Sequence, residues 1–274
     1  MLDNYAADKG TVDALQRLRV ARKLGNYACT TLIESADYAL TQMEAPPVQP
    51  EERKEALRWA LKDAVNFPVE SACIDILDLP SESLPAGRPA GVLVVSASEQ
   101  AVRDCVAPFV AAKVRLDVVD VPEMAQRNIA VLVADDNRGL VFLRVDETGM
   151  MLTLVFQGEL VAVRRGEMTA LQLSEDESTQ RERGVERLVL ELQRSLDNFD
   201  RQYSHIPISK VVVAAFPPVD GLVDALSQGT YVPVVALDLN EALDFSGVPE
   251  LKAPDVQAKY LLSIGAALRT GEAA

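Results

Sequence analysis

Apolar positions recur along this chain with two periods, helical and strand-like, and the two alternate. Residues 11–25, TVDALQRLRVARKLG, place Val12, Leu15, Leu18 and Val20 near helical spacing, with Gly25 suited to a C-cap. YACTTLI and DYALTQM read as two short strands, the second stopped by the prolines of EAPPVQPEE. From Glu51, EERKEALRWALKDAV sets Leu57, Ala60, Leu61, Ala64 and Val65 on one core-facing helical stripe. SACIDILDL and AGVLVVSAS are strand-like, and the second is apolar almost throughout, as a strand covered on both faces requires. Ser96 and Glu99 have capping-box spacing ahead of a helix bearing Val102, Cys105, Val106 and Phe109, which Pro108 is expected to kink or end. VRLDVVDV returns as a strand, and Pro122 opens a helix over EMAQRNIAVLV. The order to this point, after the first helix, is β-β-α-β-β-α-β, a compact α/β unit, followed by that helix.

A meander follows: GLVFLRVD, MMLTLVF and ELVAVRR, with turns at Asp146-Glu147-Thr148-Gly149 and Gln157-Gly158. QLSEDESTQRERG is polar and acidic and reads as a solvated, mobile loop. A long amphipathic helix carries Val185, Leu188, Val189, Leu192, Leu196 and Phe199. KVVVAAF and VPVVALDL are strands around the helix VDGLVDALS, and DVQAKYLLSIGAALRT closes the chain as one helix. From Gly139 the order is β-β-β-α-β-α-β-α. Three antiparallel strands feeding βα units are the topology of an RNase H-like or actin-like subdomain, whose second half doubly wound folds share.

Composition narrows the function. The chain has 274 residues, 49% of them hydrophobic but only 5% aromatic, so the core rests on aliphatic side chains. With 27 basic against 41 acidic residues the net charge is −14, which argues against nucleic acid and against an anionic membrane surface. Cys29, Cys73 and Cys105 are few, odd in number and far apart, and Cys105 falls on an apolar helical stripe. Reduced thiols and a cytoplasmic location are expected. No run approaches the roughly 18 apolar residues of a membrane span. The single histidine, His205, sits between a helical pattern and a strand with no nucleophile or carboxylate arranged beside it, so it reads as a plain loop or helix-end residue.

Two places carry candidate chemistry. The turn Asp146–Gly149 can hold a phosphate on backbone N–H groups with the Asp146 carboxylate reaching a metal ion, or it can be an ordinary hairpin turn. Trp59 lies about 200° around its helix from Leu57 and so faces away from the core stripe. It belongs either to a second packed face or to a partner-docking face.

ADYALTQMEAPPV, EALRWALKDAVNFPVESACIDILDLP, VDVPEMAQRNIA, LVLELQRSLDNFDRQY and YLLSIGAALR resemble the PilM-like family of type IV pilus assembly proteins, within it most the MshI branch serving the mannose-sensitive haemagglutinin (MSHA) pilus. Trp59, Phe67, Pro68 and Asp75 form the most specific block. The resemblance implies an actin-like (RNase H-like, FtsA/PilM-type) α/β fold with an inserted small subdomain over 29–122, an actin-like subdomain over 123–274, and residues 1–28 as the remnant of an incomplete N-terminal subdomain. It implies a cytoplasmic scaffold that binds the cytoplasmic tail of a PilN-like inner-membrane protein, with Trp59 and Phe67 as partner-binding candidates.

Members of this family also bind ATP, and here the sequence departs from them. MLDNYAADKG carries no first phosphate-loop hairpin. The second loop is represented only by Asp146 and Gly149, and the adenosine-contacting turn is AAFPPVDG, bulky where glycines are expected. The expectation is therefore no catalysis and no cofactor, with Mg-ATP binding or slow ATPase activity as the alternative.

Overall fold

The computed structural model describes residues 10–80, 90–174 and 178–269. The chain forms two compact units, one comprising the described residues up to Pro122 and the other those from Glu123 onward.

The first unit contains α1 (Thr11–Arg22), β1 (Thr30–Leu32), β2 (Tyr38–Glu44), α2 (Pro50–Ala60), β3 (Cys73–Asp78), β4 (Gly91–Ala97), α3 (Glu99–Ala111) and β5 (Val118–Asp120). The strand and helix order is the one the periodicity predicts. β4 lies between β2 and β3, antiparallel to both, while β1 pairs in parallel with β5. The apolar β4 is the central strand for a physical reason: only there are both edges paired and Val92 and Val94 fully buried. Leu57 and Leu61 of α2 close over them, with Ile74, Ile76 and Met43 alongside.

Several expectations fail in this unit. The helix expected to reach Val65 stops at Ala60, and Ala60 and Ala64 are exposed. Arg58 explains the early stop: its guanidinium donates to the carbonyls of Val69 (2.6 Å) and Ala72 (2.8 Å), folding the following loop back so that Val69 enters the core. The cap of α3 is Ser98, whose Oγ accepts the Ala101 N–H, whereas Ser96 is a fully buried strand residue. Of the two effects expected of Pro108, a kink or an end, the end is not observed, for α3 continues to Ala111. Cys105 is half-buried rather than buried, and all three cysteines are free.

The second unit holds α4 (Pro122–Val133), β6 (Gly139–Asp146), β7 (Gly149–Phe156), β8 (Glu159–Gly166), α5 (Ala170–Leu173), α6 (Ser178–Gln202), β9 (Ile208–Ala215), α7 (Leu222–Gly229), β10 (Val234–Ala236), α8 (Pro254–Lys259) and α9 (Leu261–Ala267). The sheet order is β10-β9-β6-β7-β8, with the meander antiparallel and β9 and β10 parallel to β6. One face carries Leu143, Leu152 and Leu154 against Leu188, Leu192 and Leu196 of α6. On the other, the side-chain N–H groups of Gln126 of α4 donate to the Phe142 carbonyl and to Thr153 Oγ1, tying the helix to the sheet through a fully buried amide whose oxygen is left without a partner among the described residues. β7, enclosed by both layers and both neighbours, is buried along all its residues.

The polar stretch read as a loop is largely helical, since α6 begins at Ser178; residues 175–177 lie outside the described residues. Gly184 makes the extension possible, because a side chain there would meet Leu173 and the Gln172 carbonyl. The closing helix is two helices broken at Tyr260. The break lets Gly265 lie directly on the backbone of Ala125, where a Cβ would stand 2.0 Å from its oxygen. His205 is exposed in the turn after α6, as expected.

Candidate functional site

The β6–β7 hairpin has a two-residue loop, Glu147-Thr148, closed by the pairing of Asp146 with Gly149. Oδ1 of Asp146 accepts the Thr148 N–H (2.8 Å) and the Thr148 hydroxyl (2.6 Å), and Oδ2 accepts from the Arg144 guanidinium. The carboxylate therefore closes its own turn and forms an ion pair along its own strand. Gly149 has φ +141°, and a Cβ there would lie 2.5 Å from the Gly166 carbonyl oxygen on β8. Its glycine is required by the approach of β8, independently of any ligand.

At the ends of β9 and β10 lies a cleft of about 360 Å³ walled by Ala215, Pro218, Val219, Leu237, Pro254 and Ala258. Its lining holds one ionisable group, Asp255. Nearby, the Lys259 ammonium stands over the rings of Phe216 and Tyr260, 5.5 and 5.4 Å from their centroids. Among the described residues no cluster of three or more His, Cys, Asp or Glu could hold a metal ion.

The first unit contains a larger groove, of about 680 Å³. The turn before β2 supplies Asp37, β2 supplies Tyr38, the segment after α2 supplies Asp63, Val65 and Phe67, and the cap of α3 supplies Ser98. Two carboxylates and several uncharged polar groups share the lining with apolar side chains, and among the described residues it has no basic side chain. That field reaches Cys105 one turn along α3 from the groove: burial pushes its thiol up, and the carboxylates of Asp37 and Glu34 push it the same way against a hydrogen bond with Thr31.

Of the four candidate residues, Phe67 is half-buried in this groove wall, and Trp59 lies outside the lining, 58% exposed on α2. The rotation inferred for Trp59 is observed, with Leu57 2% exposed on the opposite side. Asp146 and Gly149 are brought together, but as hairpin partners. Sequence reasoning did not single out Asp37, Asp63, Tyr38 or Ser98. They sit at element boundaries, in SADY, LKDAV and SAS, where periodicity carries no signal.

No family model and no curated protein matches the chain. Among solved structures, one of the PilM-PilN type IV pilus biogenesis complex superposes with a TM-score of 0.74 at 20% identity, covering 94% of this chain and 84% of that one. The cytoplasmic domain of EpsL, an inner membrane component of the type II secretion system of Vibrio cholerae, gives 0.48 at 12% identity, with coverages of 95% and 82%. A Bacteroides thetaiotaomicron protein with an actin-like ATPase fold and unknown function gives 0.46 at 12%, covering 92% and 80%. Among the described residues no helix is long and apolar enough to cross a membrane. Over nearly its whole length, then, this chain has the mixed α/β, actin-like fold found in the PilM-PilN structure.

Proposed function

We propose that this protein is a non-catalytic actin-like scaffold of type IV pilus biogenesis, of the MSHA (MshI) type, working in the cytoplasm and held at the inner membrane through its partners. Its ligand is the cytoplasmic tail of a PilN-like inner-membrane assembly protein. Residues 29–122 act as the inserted subdomain and 123–274 as the RNase H-like subdomain. The observation that carries this reading is the shared fold with the PilM-PilN structure across 94% of the chain. The groove beside Phe67 and the exposed Trp59 on the preceding helix supply a place for an extended segment.

The hairpin favours this reading over an ATP-gated one. Mg²⁺ at Asp146 would have to displace both Arg144 and Thr148, and among the described residues the cleft beyond β9 has no basic side chain in its lining, the neighbouring Lys259 standing over the Phe216 and Tyr260 rings. Thermal-shift titration with synthetic PilN-like tail peptides tests the proposal. Saturating peptide, near 100 times Kd, stabilises by about 2.7 kcal/mol. Trp59→Ala and Phe67→Ala each weaken binding at least about ten-fold, as contact hot spots do. Mg-ATP leaves the melting point unmoved. No shift with any tail peptide refutes the scaffold reading, and a shift with Mg-ATP restores the nucleotide one.

A further inference from the structure

The groove beside Phe67 holds charge that the fold itself does not use. Asp37, in the turn before β2, and Asp63, in the segment after α2, both line it, and Tyr38, Val65 and Phe67 are among its apolar walls. Both carboxylates belong to exposed residues, and among the described residues neither forms an ion pair or a side-chain hydrogen bond.

The bases on the flanking helices are engaged elsewhere. Arg58 of α2 is held by Glu55 and by the Val69 and Ala72 carbonyls, and Arg103 of α3 by Glu99. Lys62 is exposed and stands outside the lining. The negative field reaches Cys105, whose thiol is pushed up first by burial and then by Asp37 and Glu34. A slot with apolar walls and two unanswered carboxylates fits a side chain that is apolar along its stem and positive at its end, which describes lysine and arginine. A bare divalent ion fits it less well. Such ions take six or more oxygen ligands, and among the described residues no cluster of three or more His, Cys, Asp or Glu could hold one.

We propose that this groove selects a cationic extended segment, in which the charged end of a lysine or arginine meets Asp37 and Asp63 while its stem and a neighbouring apolar residue cover Val65 and Phe67. The inference rests on the scaffold reading, in which the occupant is the cytoplasmic tail of an inner-membrane protein. Cytoplasmic segments next to a membrane span carry an excess of Lys and Arg, so the charge the groove asks for is the charge such a tail brings. The net −14 of the whole chain draws a cationic tail in from a distance. A second copy of the chain brings the same −14, and an acidic segment meets like charge at both carboxylates.

The test measures fluorescence anisotropy of labelled PilN-like tail peptides, unaltered and with every Lys and Arg replaced by Gln, against the full chain and its D37N/D63N variant at about 50 and about 300 mM salt. With the wild-type chain at the lower salt, neutralising the peptide should weaken binding about three- to ten-fold, a modest factor because both carboxylates are exposed. The higher salt should shrink that difference. In D37N/D63N the same neutralisation should cost less than about two-fold, since its partner charges are already gone. Circular dichroism confirms that the variant is folded, and the two peptides on the wild-type chain decide the matter without it. Equal binding of both peptides by the wild type overturns the inference and leaves the scaffold reading standing, whereas no binding of any tail peptide overturns both. An equal loss in both proteins also overturns it, because the cation then lies elsewhere. So does displacement of the peptide by millimolar Ca²⁺ at constant ionic strength that D37N/D63N abolishes, which would make the carboxylates a metal site.

Discussion

At Cys105, burial and two neighbouring carboxylates act in the same direction on one proton. Asp37 is the carboxylate of this pair that also lines the groove, so the thiol reports the groove's electrostatics. Asp37→Asn removes a negative charge, favours the thiolate and lowers the thiol's pKa toward the ordinary cysteine value. Alkylation of Cys105 by iodoacetamide at pH of about 8 should therefore accelerate in Asp37→Asn, tracked by mass spectrometry of its peptide. An unchanged rate would mean that the groove's charge does not reach the thiol. Asp146 shows the opposite case, in which a carboxylate that looks available in the sequence is occupied by bonds within two residues of itself. Local spacing named the turn correctly, but the partner of its second oxygen was set by the Arg144 side chain.

α6 divides its two faces between stability and surface. Leu192 is fully buried against the central sheet, so Leu192→Ala loses its transfer energy and leaves a cavity, about 2–5 kcal/mol together. Leu190→Ala, two residues away on the exposed face, should change stability by less than about 0.5 kcal/mol. Urea unfolding of the two variants separates these roles, and comparable losses would contradict the face assignment. The core stripe of this helix was legible because one apolar period of 3.6 residues continues from Val185 to Phe199. Its start was not, because Ser178 to Arg183 are polar and only the seat of Gly184 against Leu173 shows that helix is accommodated there. α2 erred in the other direction: its apolar stripe continues past Ala60, but Arg58 draws the loop inward and ends the helix.

Across the whole molecule, electrostatics make stability depend on acidity in two opposing ways. Self-repulsion of the −14 chain eases as pH falls from neutrality, which favours the folded state. Specific carboxylates act against this. Asp135 is held below the ordinary range by hydrogen bonds with Ser209 and Lys210, Asp238 by the Asn240 backbone and side chain, and Asp244 by the Ser246 backbone and hydroxyl. Folded-state pKa values below the unfolded ones give stability that is present above the usual carboxylate value of about 4 and lost as pH falls through the folded values. The urea midpoint should hold or rise slightly from pH of about 7 to about 5 and then fall steeply below about 4. Asp238→Asn should flatten the acid limb, and a midpoint independent of pH would refute the account.

By itself the sequence determined the order of elements, the doubly covered apolar strand β4, the core face of α6 and the outward turn of Trp59. These depend on burial periodicity, which is local and repeats. Tertiary structure decided what depends on single distant partners. It placed β1 beside β5, cut α2 at Ala60, split the last helix so that Gly265 could meet Ala125, and joined Asp37, Asp63 and Phe67 into one groove. Each rests on a contact that joins different elements, where no spacing rule applies. Glu191 is of the same kind: its spacing from Arg187 suggests a pair within α6, but the structure binds it to Arg164 of β8.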